Sequence, residues 1–66
     1  MNKKEYGTLK AKFLKLYANV PLPLREEIIA VVDKKPVSWN VSYIEIKADS
    51  KNAEIILGSL KKIGVV

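Results

Sequence analysis

The longest run of hydrophobic residues in the chain, Ile28–Val32, predicts a β-strand. Four of its five residues are β-branched, and such side chains are stiff about χ1 and fit a pleated surface. An unbroken apolar run of this length is typical of a strand buried on both faces. A helix from Leu24 to Val32, with Pro23 in its first turn, is the alternative. We expect the strand, because Asp33-Lys34-Lys35-Pro36 follows as a turn that stays open for want of a proline N–H.

Hydrophobic and polar residues alternate after Pro36, and this second segment has two interpretations. Apolar residues at every second position from Val37 to Tyr43 indicate a half-buried strand. The same stretch also fits a helix in which Ser38 is the N-cap and Trp39, Tyr43 and Ile46 share one face. A short strand followed by a helical turn or a bulge satisfies both patterns. The choice between strand and helix for residues 38–47 therefore stays open.

An amphipathic helix is predicted before this central region. It starts at Gly7 or Thr8, after a polar lead, and ends near Ala18, where Asn19 provides a left-handed cap. Its hydrophobic stripe is Leu9, Phe13, Leu16 and Tyr17. The following segment, Val20–Leu24, is expected to be extended because of its two prolines, with Leu22 and Leu24 packed inward.

A second amphipathic helix is predicted after the central region, from about Lys51 to Ile63. Asp49 or Ser50 is its N-cap, and Gly64 is the expected stop. Its apolar positions recur at helical spacing, at Ala53, Ile56, Leu57, Leu60 and Ile63.

Together these elements predict a small single α+β domain over residues 1–66. Two amphipathic helices pack on a central β-hairpin region in the order α-β-β-α, and a short extra helix after Trp39 is the open variant. A chain of 66 residues buries only about 60% of the surface that it exposes when unfolded. Because 48% of the residues are hydrophobic, we expect apolar side chains to remain at the surface and a homodimer to cover them.

The net charge of +5 arises from eleven lysines and one arginine against seven acidic residues, and it indicates attraction to anionic partners. Nucleic-acid readers favour arginine, whereas Arg25 stands alone here. No segment approaches the roughly 20 apolar residues that span a bilayer, and no hydrophobic stretch of a secretory signal follows the charged N-terminus. We therefore expect a cytoplasmic protein without membrane association.

The composition offers little for catalysis. Histidine and cysteine are absent, the acidic residues are scattered without calcium-loop spacing, and the three glycines are too far apart for a phosphate-binding loop. A serine nucleophile would have only lysine as its base. We expect no enzyme activity, no cofactor, no metal and no small-molecule ligand.

The best candidate for a partner surface surrounds the single tryptophan, because tryptophan is enriched at interaction hot spots and a cationic turn precedes it here. The alternative is that Trp39 is simply a large core residue. The candidate surface comprises Arg25, Asp33, Lys34, Lys35, Trp39, Asn40 and Tyr43.

The chain also resembles a group of small uncharacterised prokaryotic proteins over nearly its whole length. The matching positions are Leu22, Pro23, Leu24, Arg25, Glu27, Ile28, Ile29, Asp33, Pro36, Trp39 and Asn40. The resemblance implies no activity. Those proteins often carry Gly after the Asp where this chain has Lys34, which argues against a tight type I′ turn.

These observations favour a non-catalytic binding or assembly module that acts through a protein partner and forms a homodimer. The alternative is a small nucleic-acid-binding protein or regulator that uses lysines of the two helices on a phosphate backbone. The candidate phosphate contacts are Lys10, Lys12, Lys15, Lys61 and Lys62.

Overall fold

A computed structural model describes residues 1–66 as three helices and one antiparallel hairpin. The elements are α1 (Lys3–Ala18), a 3-10 turn (Leu22–Leu24), β1 (Ile28–Val32), β2 (Lys35–Ser38), α2 (Trp39–Lys47) and α3 (Lys51–Lys62). This order confirms the predicted α+β class, including the extra helix after Trp39. No helix combines the length and the hydrophobicity that crossing a membrane requires.

Helix α1 begins at Lys3, so the predicted start at Gly7 or Thr8 was wrong. The Oδ1 atom of Asn2 accepts a hydrogen bond of 2.7 Å from the backbone N–H of Glu5, which is the bond that an N-cap makes. The predicted end at Ala18 is confirmed. Asn19 keeps a right-handed backbone with φ −96°, so the left-handed cap was also wrong.

The connection between α1 and the hairpin is a tight turn, although an extended segment was predicted. The backbone N–H of Leu24 donates to the carbonyl of Pro21 at 2.9 Å, which closes one turn of 3-10 helix. Leu22 is 73% exposed and Leu24 is also exposed, so the prediction that they pack inward was wrong.

Two residues, Asp33 and Lys34, connect the strands of the hairpin. Both have positive φ, 50° and 64°, as in a type I′ turn, and Val32 pairs with Lys35 directly beyond them. The open turn predicted over residues 33–36 was therefore wrong, as was the argument from Lys34 against a tight turn. Pro36 lies within β2, opposite Val31.

Ser38 is the last residue of β2 and the N-cap of α2. Its position decides between the two interpretations of this segment. Its Oγ atom accepts a hydrogen bond of 3.1 Å from the backbone N–H of Val41, so the predicted N-cap is confirmed. The short strand and the helix thus follow one another along the chain.

The core lies between the three helices and the inner face of the hairpin. Its largest fully buried side chains are Phe13, Ile46, Ile56, Leu57 and Leu60. Val32 and Val37 close it from the hairpin side. Helix α3 matches its prediction, with Ser50 at the N-cap position and Gly64 beyond the end at φ 85°, where glycine is free of strain, but Ile63 is exposed.

Candidate functional site

Three apolar residues form an exposed surface on the hairpin, here called the outer hairpin face: Ile28, Val31 and Pro36. Val31 is 65% exposed and Ile28 is 55% exposed, although a strand buried on both faces was predicted. Val31 and Pro36 are cross-strand partners, so their side chains share one face of the hairpin. The helices of this chain pack on the other side of the hairpin and leave these residues exposed.

A β-bulge explains why Ile28 joins this face. Side chains alternate along a strand, so Val32 and Ala30 point to the inner face and Val31 points to the outer one. The pairing register shifts between Ile28 and Ala30, which leaves Ile29 as an additional residue. One additional residue reverses the alternation, and Ile28 therefore lies on the same face as Val31.

The two edges of the hairpin differ in their capacity to pair with another strand. In a two-residue hairpin the pair next to the turn exchanges hydrogen bonds and the following pair does not. Val31 and Pro36 form that following pair, so their backbone groups point away from the hairpin. The β2 edge lacks an N–H at Pro36, whereas the β1 edge presents both backbone groups of Val31. No backbone hydrogen bond from outside the hairpin reaches residues 28–32.

Charges of opposite sign flank the two ends of β1. Glu26 and Glu27 precede the strand, while Lys34 and Lys35 follow it at and beyond the turn. The Oε1 atom of Glu26 accepts a hydrogen bond of 2.7 Å from Asn40 Nδ2. None of the three ion pairs in the chain involves Glu27, Lys34 or Lys35. These charges are therefore available to a partner.

A second cluster, the aromatic cluster, is built around Tyr17 and contains Arg25, Asn40 and Tyr43. The rings of Tyr17 and Tyr43 are parallel within 7° with centroids 4.1 Å apart, and the guanidinium carbon of Arg25 lies 4.4 Å from the Tyr17 ring centre. The Tyr17 hydroxyl donates to Asn40 Oδ1 at 2.6 Å. Arg25 Nε also donates to the carbonyl of Val20 at 3.0 Å. These contacts tie the connection after α1 to α2.

Lys47 lies at the rim of the aromatic cluster. Its Nζ atom is 3.0 Å from the Tyr43 hydroxyl and 5.3 Å from the ring centre. These distances place the ammonium beside the Tyr43 hydroxyl, at the edge of the ring. The hydrogen bond to Tyr43 raises the pKa of Lys47.

The residues predicted as a partner surface fall into two separate groups. Arg25, Asn40 and Tyr43 meet in the aromatic cluster, and Trp39 lies beside it, half-buried, with its ring 5.9 Å from that of Phe13. The other three, Asp33, Lys34 and Lys35, are exposed at the tip of the hairpin. The first group is engaged in contacts within the chain, and only the second is free of them.

The five lysines predicted as phosphate contacts also differ among themselves. Lys10 forms an ion pair with Asp49 and Lys61 forms one with Glu5, each at 2.8 Å. Lys12, Lys15 and Lys62 are exposed and have no ion pair. Lys12 and Lys61 line one shallow depression, together with Lys4 and Thr8.

A polar contact between Tyr6, Lys10 and Asp49 holds α1 against the loop before α3. Asp49 Oδ1 accepts from the Tyr6 hydroxyl at 2.6 Å and from Lys10 Nζ at 2.8 Å. Burial, followed by the hydrogen bond to Asp49, raises the pKa of Tyr6 to about 12. The hydrogen bonds from Lys10 and Tyr6 lower the pKa of Asp49. We assign this contact to the stability of the fold.

Sequence reasoning missed two features of these sites. Tyr17 was assigned to the core stripe, which is correct for its burial but gave no indication of its partners. The outer hairpin face was missed because the run Ile28–Val32 was taken to be buried on both sides. The number of predicted elements could have revealed it, since two helices on one side of a two-stranded sheet leave the other side bare.

Comparisons with protein-family models, with curated protein sequences and with solved structures found no match. The resemblance to small prokaryotic proteins therefore stays a prediction. No group of three or more acidic, histidine or cysteine side chains is arranged to hold a metal ion.

Proposed function

We propose that this protein is a non-catalytic protein-binding module that docks through the outer hairpin face and the adjoining edge of β1. The observation that carries the proposal is the exposure of Val31, the most exposed residue of the strand, within an apolar patch. Isolated apolar residues at a surface are ordinary, but a contiguous patch beside an unpaired strand edge is typical of an interaction site.

The size of the molecule is compatible with such a role. A standard protein interface buries about 800 Å² on each partner. The accessible surface of this chain is 4589 Å², so an interface of that kind would cover about a sixth of it. The outer hairpin face supplies its apolar centre, and the charged residues at the ends of β1 supply a polar rim.

Site-specific photo-crosslinking in cells that produce the protein tests this proposal. A photoreactive residue at position 31 is expected to give covalent adducts with protein. The same residue at position 44 is the matched control, because Ile44 lies on α2 and is 64% exposed. The proposal fails if the two positions give equal amounts of adduct.

The alternative function is nucleic-acid binding, and one observation favours it. Lys4, Lys12 and Lys61 line the same depression, so their charges are close enough to act on one phosphate backbone. Glu5 lines the same depression and pairs with Lys61, which reduces the local positive charge. We therefore rank this function second.

A salt series of binding to mixed DNA and RNA tests the alternative. Each phosphate contact on duplex DNA lowers the logarithm of the affinity by about 0.9 per decade of salt. Lys12→Glu is expected to weaken binding if the depression is used, and Lys47→Glu, on another helix, is the control. Absence of binding at low salt would exclude this function.

A further inference from the structure

We propose that the β1 edge of this site is occupied by a second copy of the same chain, whose β1 strand pairs antiparallel with β1 to form a four-stranded sheet in the order β2-β1-β1-β2. The inference rests on the proposed function, because it names the partner of the same surface. Three observations carry it: the difference between the two hairpin edges, the distribution of charge along β1, and the small size of the sheet.

The first observation is that only one edge of the hairpin can accept a strand. Proteins protect exposed edges with proline and lysine, and β2 carries both, as Lys35 and Pro36. Strand β1 carries neither between residues 28 and 32, and the backbone N–H and carbonyl of Val31 point outward without a partner. The bulge lies at the start of β1 and leaves Ala30, Val31 and Val32 in regular pairing.

The second observation is that β1 is complementary in charge to its own reverse. Glu26 and Glu27 lie at its start, and the hairpin tip beyond its end carries Asp33, Lys34 and, on β2 opposite Val32, Lys35. When two copies run antiparallel, the acidic start of each strand lies beside the basic end of the other. A parallel arrangement would place acid beside acid and lysine beside lysine. Asp33 lies nearest to the partner's β1 and opposes this arrangement, but the tip as a whole, with two lysines and one aspartate, has a net charge of +1 against −2 at the start of the strand.

The third observation is that the sheet has only two strands and is supported by helices on its inner face alone. A two-stranded hairpin depends on packing against a helix or on further strands, and a partner strand would add support that the helices do not give. Pairing through β1 doubles the sheet. In a pairing centred on Val31 it also sets the Val31 side chains of the two copies side by side, where each covers part of the other.

Sedimentation equilibrium over about three decades of concentration is the first test. The expected result is a mass that rises with concentration to twice the 7.4 kDa of one chain. Val31→Lys is expected to weaken association at least about tenfold, because a lysine ammonium would be brought toward its own copy. Ile44→Lys, at a position of equal exposure on α2, is expected to leave association unchanged.

Charge reversal tests the antiparallel arrangement. Glu27→Lys and Lys34→Glu should each weaken self-association about tenfold, since each places like charges at both ends of the paired strands. An equimolar mixture of the two variants should associate as well as the unchanged chain, because every acidic end then meets a basic one. Circular dichroism of each variant establishes that it is folded. Failure of the mixture to recover association overturns the antiparallel arrangement.

Hydrogen exchange separates strand pairing from simple contact between faces. The Val31 amide has no acceptor within one chain, and it should exchange at least about tenfold more slowly in the dimer than in dilute solution. A dimer whose Val31 amide stays unprotected overturns the pairing but leaves docking through the outer hairpin face intact. A chain that stays monomeric while position 31 crosslinks to another protein overturns the second copy as occupant, and the proposed function survives. Equal crosslinking at positions 31 and 44 contradicts both the proposed function and the second copy as its partner.

Discussion

The two faces of the hairpin carry similar side chains in opposite environments. Val32 is 8% exposed and packs in the core, whereas its neighbour Val31 is 65% exposed. Hydrophobic residues are usually placed at the surface singly, and the ten large ones exposed here include two from a single five-residue strand. The inner face of β1 therefore contributes to the core, whereas the outer face stays exposed when one chain folds.

The largest effect is expected beneath the inner face, at Ile56. This residue is fully buried and lines the same groove as Val32 and Val37, so Ile56→Ala should lower the free energy of unfolding by about 3 kcal/mol. A domain of this length is stable by roughly 3 to 10 kcal/mol, so the variant should be close to unfolding. Urea denaturation measures the change.

Ile55→Ala is the control for this prediction. Ile55 precedes Ile56 on α3 but is 45% exposed, so its truncation should lower the free energy of unfolding by less than about 1 kcal/mol. Equal losses for the two variants would contradict the assignment of the buried face of α3.

The next largest effect compares the faces of β1 directly. Val32→Ala removes two buried methyl groups and should lower the free energy of unfolding by about 2 kcal/mol. Val31→Ala should change it by less than about 0.5 kcal/mol when measured in solutions dilute enough to be monomeric. If Val31→Ala lowers the free energy of unfolding as much as Val32→Ala does in dilute solution, the outer hairpin face is covered within one chain. That result would contradict the difference between the two faces.

A smaller effect on stability, of opposite sign, is expected in the turn that joins β1 to β2. Lys34 has φ 64°, a conformation that is unfavourable for side chains other than Gly, Asn and Asp. Lys34→Gly relieves this strain but adds freedom to the unfolded chain, so we expect a gain of about 0.5 to 1 kcal/mol in unfolding free energy. Lys35→Gly, in the extended strand, should instead destabilise by a similar amount. Thermal melting of both variants decides the sign.

Far from the hairpin, at Tyr6, the expected effect is a change in pKa. Its pKa is about 12 in the folded chain and about 10 when unfolded, so its contribution to stability is complete below pH 10 and is lost as the pH rises towards 12. Asp49→Asn removes the carboxylate charge and should lower the pKa of Tyr6. Asparagine also tolerates the positive φ of 52° at this position.

Alkaline titration of the assigned Tyr6 ring resonances by NMR measures this pKa. An unchanged Tyr6 pKa in Asp49→Asn would show that burial alone is responsible. Self-association of the variant should equal that of the unchanged chain, since the contact lies away from β1.

The regular elements were predictable because their signals are local. The strand at Ile28–Val32, the stop at Gly64 and the N-cap at Ser38, which was one of two open alternatives, each depend on a few neighbouring residues, and all three are present. The start of α1 was missed although its signal is also local. The N-cap at Asn2 lies within a stretch that was taken as a polar lead before the helix.

The remaining features depend on contacts between distant parts of the chain. The stacking of Tyr43 on Tyr17 and the exposure of Leu22 follow from how the helices and the connection pack, and no short window of residues contains that information. The left-handed turn at Asp33 and Lys34 is similar. Strand pairing on both sides enforces a conformation that the two residues alone do not favour.

Pro36 has a consequence for how far such an assembly can grow. A sheet with two receptive edges has no natural end, and copies could add to it indefinitely as a fibre. In the proposed dimer the β1 edge of each copy is paired, and each outer strand of the four-stranded sheet carries Pro36. A proline at this position would stop the proposed dimer from growing into a fibre, because it removes a donor from the outer edge.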